Sequence, residues 1–216
     1  DDLDSQTRQI LRTAALLGFH FRRRTLMRVW AGDAHEVTAA LIVGVQAHLI
    51  ERSASGKDHF SHQSVHDSLL RGFDAESRRS MHQHIALTLD GDGEDIEQLY
   101  RLAYHYAMGN DAQVAERAYQ VNLIAGKMAF TNYAYDEAYT FLKHAQQLST
   151  QLGVAFDAET EAIFGEVCYR TTHIIEALDH LTVAITHTAD PYARAGLRMQ
   201  RCYLQLWNYD NGTLWN

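Results

Sequence analysis

Histidine is the residue here best suited to chemistry: thirteen occur in 216 residues, and a neutral imidazole both ligates zinc and titrates near neutrality. His59, His62 and His66 form the tightest group, the last two one helical turn apart with Asp67 beside them. A zinc hydrolase built on such a pair needs a glutamate between its histidines as general base, and His62-Gln63-Ser64-Val65-His66 has none. The segment therefore favours packing or capping near a turn, and no metal ligand or cofactor is expected. His82 and His84 flank Gln83 and cannot share a helix face. Cys168 and Cys202 have no Cys-Cys or Cys-His spacing around them and read as buried thiols of a reduced compartment. No residue stands out as catalytic.

Nucleotide chemistry lacks its loop. No GxxxxGK[ST] segment occurs, and the acids of Gly91-Asp92-Gly93 would repel phosphate. Arg22, Arg23 and Arg24 with Arg28 form the strongest basic patch, suited to DNA phosphates or to an acidic surface of a neighbouring domain. Charge is unevenly placed: residues 1–88 carry 11 Lys+Arg against 10 Asp+Glu, and residues 89–216 carry 8 against 17. The second half would repel nucleic acid on average.

The elements that hold these side chains read as helices. Only Pro191 interrupts a chain that is 46% hydrophobic, and no apolar run approaches a bilayer span. The opening residues lack the order of a secretory signal, so a cytoplasmic protein is expected, and Asn211-Gly212-Thr213 is an accidental glycosylation match. A helix is predicted over 5–17, an extended stretch at Phe19 and Phe21, and a short helix over 25–30. Asp33 with Glu36 three residues on makes a capping box for a helix over 34–49. Short extended pieces around residues 53–58 suggest a hairpin, or wing, followed by helices over 64–73 and 75–89. Paired glycines and acids at residues 90–95 mark the boundary between a domain over 1–90 and a helical region over 94–216.

That region is predicted as six helices, over 96–108, 112–130, 134–152, 155–170, 174–189 and 192–209. Their short connections force antiparallel neighbours. A weak repeat supports the pairing: Asp136-Glu137-Ala138-Tyr139 with Ala145 is echoed, 39 residues later, by Ile175-Glu176-Ala177-Leu178 with Ala184. The chain starts without methionine and stops at Leu214-Trp215-Asn216, and is expected to be a piece of a longer polypeptide with a truncated repeat region.

Residues 11–21, Leu-Arg-Thr-Ala-Ala-Leu-Leu-Gly-Phe-His-Phe, resemble the "AAxLGxxF" segment that opens the winged-helix-like region of large AAA/STAND-type signalling ATPases. These include LuxR- and MalT-like regulators, some adenylate cyclases, and multidomain serine/threonine or histidine kinases. Phe60-Ser61-His62 through Leu69 resembles the family's "FxHxxvxxaxy"; Arg78 through Ala86 its "RxxlHxxIAxxL"; and Leu102-Ala103-Tyr104-His105-Tyr106, with Gly109, its "LAxHyxxaG". His66-Asp67-Ser68 and the segment from Leu206 to Asn211 depart from the pattern.

The resemblance implies a mainly α fold, an N-terminal winged-helix-like domain followed by antiparallel TPR-like helical hairpins. It implies structural roles for His62, His82 and His105 at the junction between modules. The expected function is a non-catalytic regulatory and protein-interaction segment of a larger signalling ATPase, in contact with neighbouring domains of the parent polypeptide. The alternatives are a stand-alone TPR-like adaptor for a protein or peptide, and a DNA-binding winged-helix regulator. The uncharged face of the helix over 34–49 argues against the last.

Overall fold

Capping residues decide where most helices begin. The computed structural model describes residues 3–91, 96–109 and 112–210. Contacts divide the chain into two compact units, 1–92 with 108–110 and 93–107 with 111–216. The fold is mainly α-helical with one small sheet near the N-terminus.

In the first unit, Asp4 accepts the Thr7 amide at 2.8 Å and starts α1 (Ser5–Leu17). Strand β1 (His20–Arg22) runs into α2 (Arg23–Val29), two residues earlier than the sequence suggests. Asp33 accepts from His35 N–H at 2.9 Å, and Glu36 reaches back to the Asp33 amide at 3.2 Å, completing the capping box of α3 (Ala34–Gln46). Glu36 also accepts from the Trp30 indole at 2.8 Å, and these donors hold its carboxyl below the usual range.

Helix α3 stops short of residue 49 because His48 turns left-handed, with φ 57°, and the Leu49 amide closes onto Gly44 O at 2.8 Å. This is the closure glycine usually makes, here carried by an ordinary side chain. Strands β2 (Ile50–Glu51) and β3 (Lys57–Phe60) are antiparallel, and β1 adds to the other edge of β3, giving the order β1-β3-β2. Helices α4 (Gln63–Leu70) and α5 (Ala75–Leu89) follow. Leu11, Phe21, Leu26, Leu41, Phe60 and Ile85 are completely buried and weld helices to sheet.

The second unit holds α6 (Ile96–Gly109) except its last two residues, a 3-10 turn (Ala112–Val114), α7 (Ala115–Thr131), α8 (Tyr135–Leu152), α9 (Ala158–Arg170), α10 (Ile174–His187) and α11 (Pro191–Asp210). Asp157 caps α9 by accepting Thr160 N–H at 2.7 Å, so that helix begins three residues later than expected. Two hairpins, α7–α8 and α9–α10, repeat each other at 39 residues down to the turn. Tyr133 and Thr172 are both left-handed, with φ 60° and 65°. Ala134 N–H bonds Ala129 O at 2.9 Å, and His173 N–H bonds Cys168 O at 2.7 Å. Gly126 lies against Leu142 in one hairpin as Gly165 lies against Leu181 in the other, each leucine fully buried. No helix among the described residues is long and apolar enough to cross a membrane.

Candidate functional site: a polar cluster in the second helical hairpin

Three helix faces converge on one polar cluster in the second unit. Helix α9 contributes Glu161, Phe164 and Cys168, α10 contributes Glu176 and His180, and α8 contributes Tyr139 and Lys143, each set spaced at three to seven residues and so on one side of its helix. Glu161 bonds His180 Nδ1 at 2.6 Å, with both side chains nearly buried. His180 packs on the Phe164 ring at 4.2 Å. Glu176 takes the Lys143 ammonium at 2.6 Å and the Tyr139 hydroxyl at 3.2 Å. Tyr139 also stacks on His173, ring centroids 4.0 Å apart. Ligand atoms of Cys168, Glu176 and His180 all lie within 4.8 Å of one another.

The electrostatics follow from these neighbours. Lys143 is the chief reason the Glu176 carboxyl titrates below its ordinary range. Burial, reinforced by the Glu176 charge, pushes the Tyr139 hydroxyl up to about 12. The same two causes push the Cys168 thiol up to about 12, so it is a neutral thiol and not a nucleophile as it stands. The cluster is dry on the α9 side, where Cys168 is fully buried, and reaches solvent through Glu176 and Lys143, whose side chains are about one-third exposed.

Comparison with the first hairpin isolates what is special here. At the same places 39 residues earlier stand Ala129 for Cys168, Phe141 for His180, Asn122 for Glu161 and Ala134 for His173, while Glu137 matches Glu176. The hairpin therefore closes without these donor groups, since the first one does.

The chain matches no protein-family model, no curated protein and no solved structure.

The residues singled out in the sequence are scattered by comparison. Arg23 is committed to Asp58, donating through Nε at 2.9 Å and Nη2 at 2.8 Å, and Asp58 is completely buried. Arg28 donates to Thr88 O at 2.6 Å. Of the four arginines expected to contact a partner, these two thus serve the fold of the first unit. Arg22 and Arg24 stay exposed beside an open depression of about 620 Å³ that Met27, Ser55, Gly56 and Lys57 also line.

His59, His62 and His66 do not gather into a ligand set. His62 is exposed and makes no side-chain cap at the start of α4. The buried histidine is His66, whose Nε2 meets Ala15 O at 3.0 Å and whose Nδ1 lies 3.2 Å from the Asp67 carboxylate. His82 and His105 are both buried. Residues 92–95, 110–111 and 211–216, including the acidic Asp92, the Asn211 acceptor and the terminal Trp215, lie outside the described residues.

Sequence reasoning missed the pairing of Cys168 with His180. The signal was present: Glu176 and His180 are four apart on one face of a helix, and a hairpin turn at residues 171–173 folds Cys168 back toward them. Motif spacing counted along the chain does not register a pair formed across an antiparallel turn.

Proposed function

We propose that this chain is a non-catalytic regulatory and protein-interaction segment of a larger signalling ATPase: a winged-helix-like unit followed by TPR-like hairpins that contact neighbouring domains of the parent polypeptide. The observation that carries the reading is the 39-residue repeat, which extends to backbone hydrogen bonds and left-handed turn residues at equivalent positions. Stacked hairpins of one design bury their faces on neighbours and leave continuous surfaces for recognition. The helix, strand, helix, helix, hairpin order of residues 5–60 supports the winged-helix-like half.

The contact surface is one line of α11. Tyr192, Met199 and Leu206 follow one another at seven-residue intervals and are 88%, 75% and 68% exposed. In the α7–α8 and α9–α10 hairpins the first helix is covered by its partner helix, and this line of α11 is exposed. Its fitting occupant is an amphipathic helix of a neighbouring domain. A DNA role is disfavoured by α3, whose only formally charged residue is Glu36.

The test compares amide hydrogen exchange of this chain alone and within the parent polypeptide. Residues 192–206 gain protection in the parent, and Tyr192→Glu, Met199→Glu and Leu206→Glu together remove the gain while leaving the helical circular dichroism unchanged. Equal exchange in both contexts refutes the docking surface. Salt-sensitive duplex binding lost in Arg22→Ala, Arg24→Ala would favour the DNA-binding reading instead, and ATP turnover by the pure chain, abolished by one substitution, would overturn the non-catalytic one.

A further inference from the structure

We propose that Cys168, Glu176 and His180 hold one zinc(II) ion inside the α9–α10 hairpin, with Glu161 as the positioning residue for His180.

Geometry comes first. Three atoms no more than 4.8 Å apart share a point within about 2.8 Å of each. Zinc needs about 2.3 Å to sulfur and about 2.0–2.2 Å to imidazole nitrogen or carboxylate oxygen, so each side chain closes by less than about 1 Å. The donor set, one thiolate, one imidazole and one carboxylate, suits a tetrahedral ion of intermediate softness and not calcium or magnesium. Three protein ligands leave a fourth position for water, on the side where Glu176 meets solvent.

The surroundings are arranged as a ligand shell requires. Glu161 engages Nδ1 of His180 at 2.6 Å, and the Gln146 amide lies 3.5 Å from Nε2, so ligation through Nε2 gives up only that long contact while Glu161 keeps the ring oriented. Tyr139 holds Oε1 of Glu176, leaving Oε2, now on Lys143, as the oxygen for the ion. Lys143 is the cation of the metal-free state; about one-third exposed, it swings into water when zinc arrives. The Zn–S bond forms as the Cys168 S–H bond breaks, and that proton passes to solvent.

An independent observation points the same way. The first hairpin builds the same turn and the same helix contact with Ala129, Phe141 and Asn122 where the second has Cys168, His180 and Glu161. The donors are thus additions to a scaffold that stands without them, and burying a carboxylate and an imidazole there costs stability that packing alone does not require.

The experiment uses the full chain in a Cys202→Ser background, because Cys202 is an exposed thiol. Metal-stripped protein is titrated with zinc(II) alone against a chromophoric chelator, and with cobalt(II) alone by absorption. One equivalent binds, and the cobalt form shows a near-ultraviolet thiolate-to-metal band. Cys168→Ala and His180→Phe, which install the residues of the first hairpin, keep the helical circular dichroism and each weaken zinc binding by more than about 100-fold, beyond the about 10- to 100-fold loss expected for Glu161→Asn. Lys143→Met, which removes the competing cation, tightens it. The proposal is overturned by the absence of stoichiometric binding, by a cobalt spectrum without the thiolate band, or by binding that persists in the Cys168→Ala, His180→Phe double variant.

Discussion

Replacing Gly126 by alanine tests how closely the hairpin helices approach. In a helix interior the change should stabilise by about 1 kcal/mol, because glycine loses more backbone freedom on folding. At Gly126 the new methyl would stand 2.7 Å from Leu142 Cγ, 2.8 Å from its Cδ2 and 3.2 Å from its backbone nitrogen. Leu142 is fully buried, and its backbone belongs to α8, so the helices must separate; such overpacking costs about 1–3 kcal/mol. The clash wins, and Gly126→Ala loses about 1 kcal/mol net.

Two further glycines calibrate the reasoning. At Gly165 the nearest atoms are 3.0 Å and 3.2 Å away on the Leu181 side chain, so gain and strain nearly cancel. At Gly196 nothing lies within 4 Å, and alanine gains the full amount, about 1 kcal/mol or about 2–4 °C. Urea unfolding of the whole chain, followed by far-ultraviolet circular dichroism, should rank Gly196→Ala above the parent, Gly165→Ala beside it and Gly126→Ala below it. A Gly126→Ala variant as stable as Gly196→Ala would refute the close approach of α7 and α8.

Three other outcomes are expected. Burial, with the Arg78 charge, pushes His82 from 6.5 down to about 4, so the unfolded chain takes up this proton first; stability is full above about pH 6.5 and declines as pH falls toward 4, by about 3 kcal/mol, and His82→Leu should flatten that slope in acid unfolding. Burial raises the Asp58 carboxyl, but hydrogen bonds from Arg23 and Ser53 outweigh it and leave it below 3.8; its stabilisation is present above that value and lost as pH falls below it, and Asp58→Asn should cost about 2 kcal/mol, read as an earlier urea midpoint. A thiol reagent at pH 8 without metal should label Cys202 in the native chain and reach Cys168 only on unfolding, since Cys168 is buried and its thiol titrates near 12; prompt labelling of both would contradict that packing.

Local rules were legible along the chain. The capping box of Asp33 and Glu36 comes from neighbours three residues apart, where spacing alone reports geometry, and the 39-residue echo between Glu137 and Glu176 is a repeat read directly from the residue order. The helix end at His48 was less legible, because a left-handed residue that is not glycine carries no compositional mark, whereas the ends before Tyr133 and Thr172 were read to within a residue. That His66 is buried against α1 while His62, four residues earlier, is exposed depends on how the helices pack.

The amino-acid order by itself determined a mainly helical protein with a small N-terminal hairpin and paired helices, since periodicity and capping act over one or two turns. Tertiary structure alone decided which charges and donors meet. Arg23 finds Asp58 from 35 residues away, and Cys168 finds Glu176 and His180 across a turn. Contacts of that kind depend on the relative placement of two elements, which no spacing along one of them encodes.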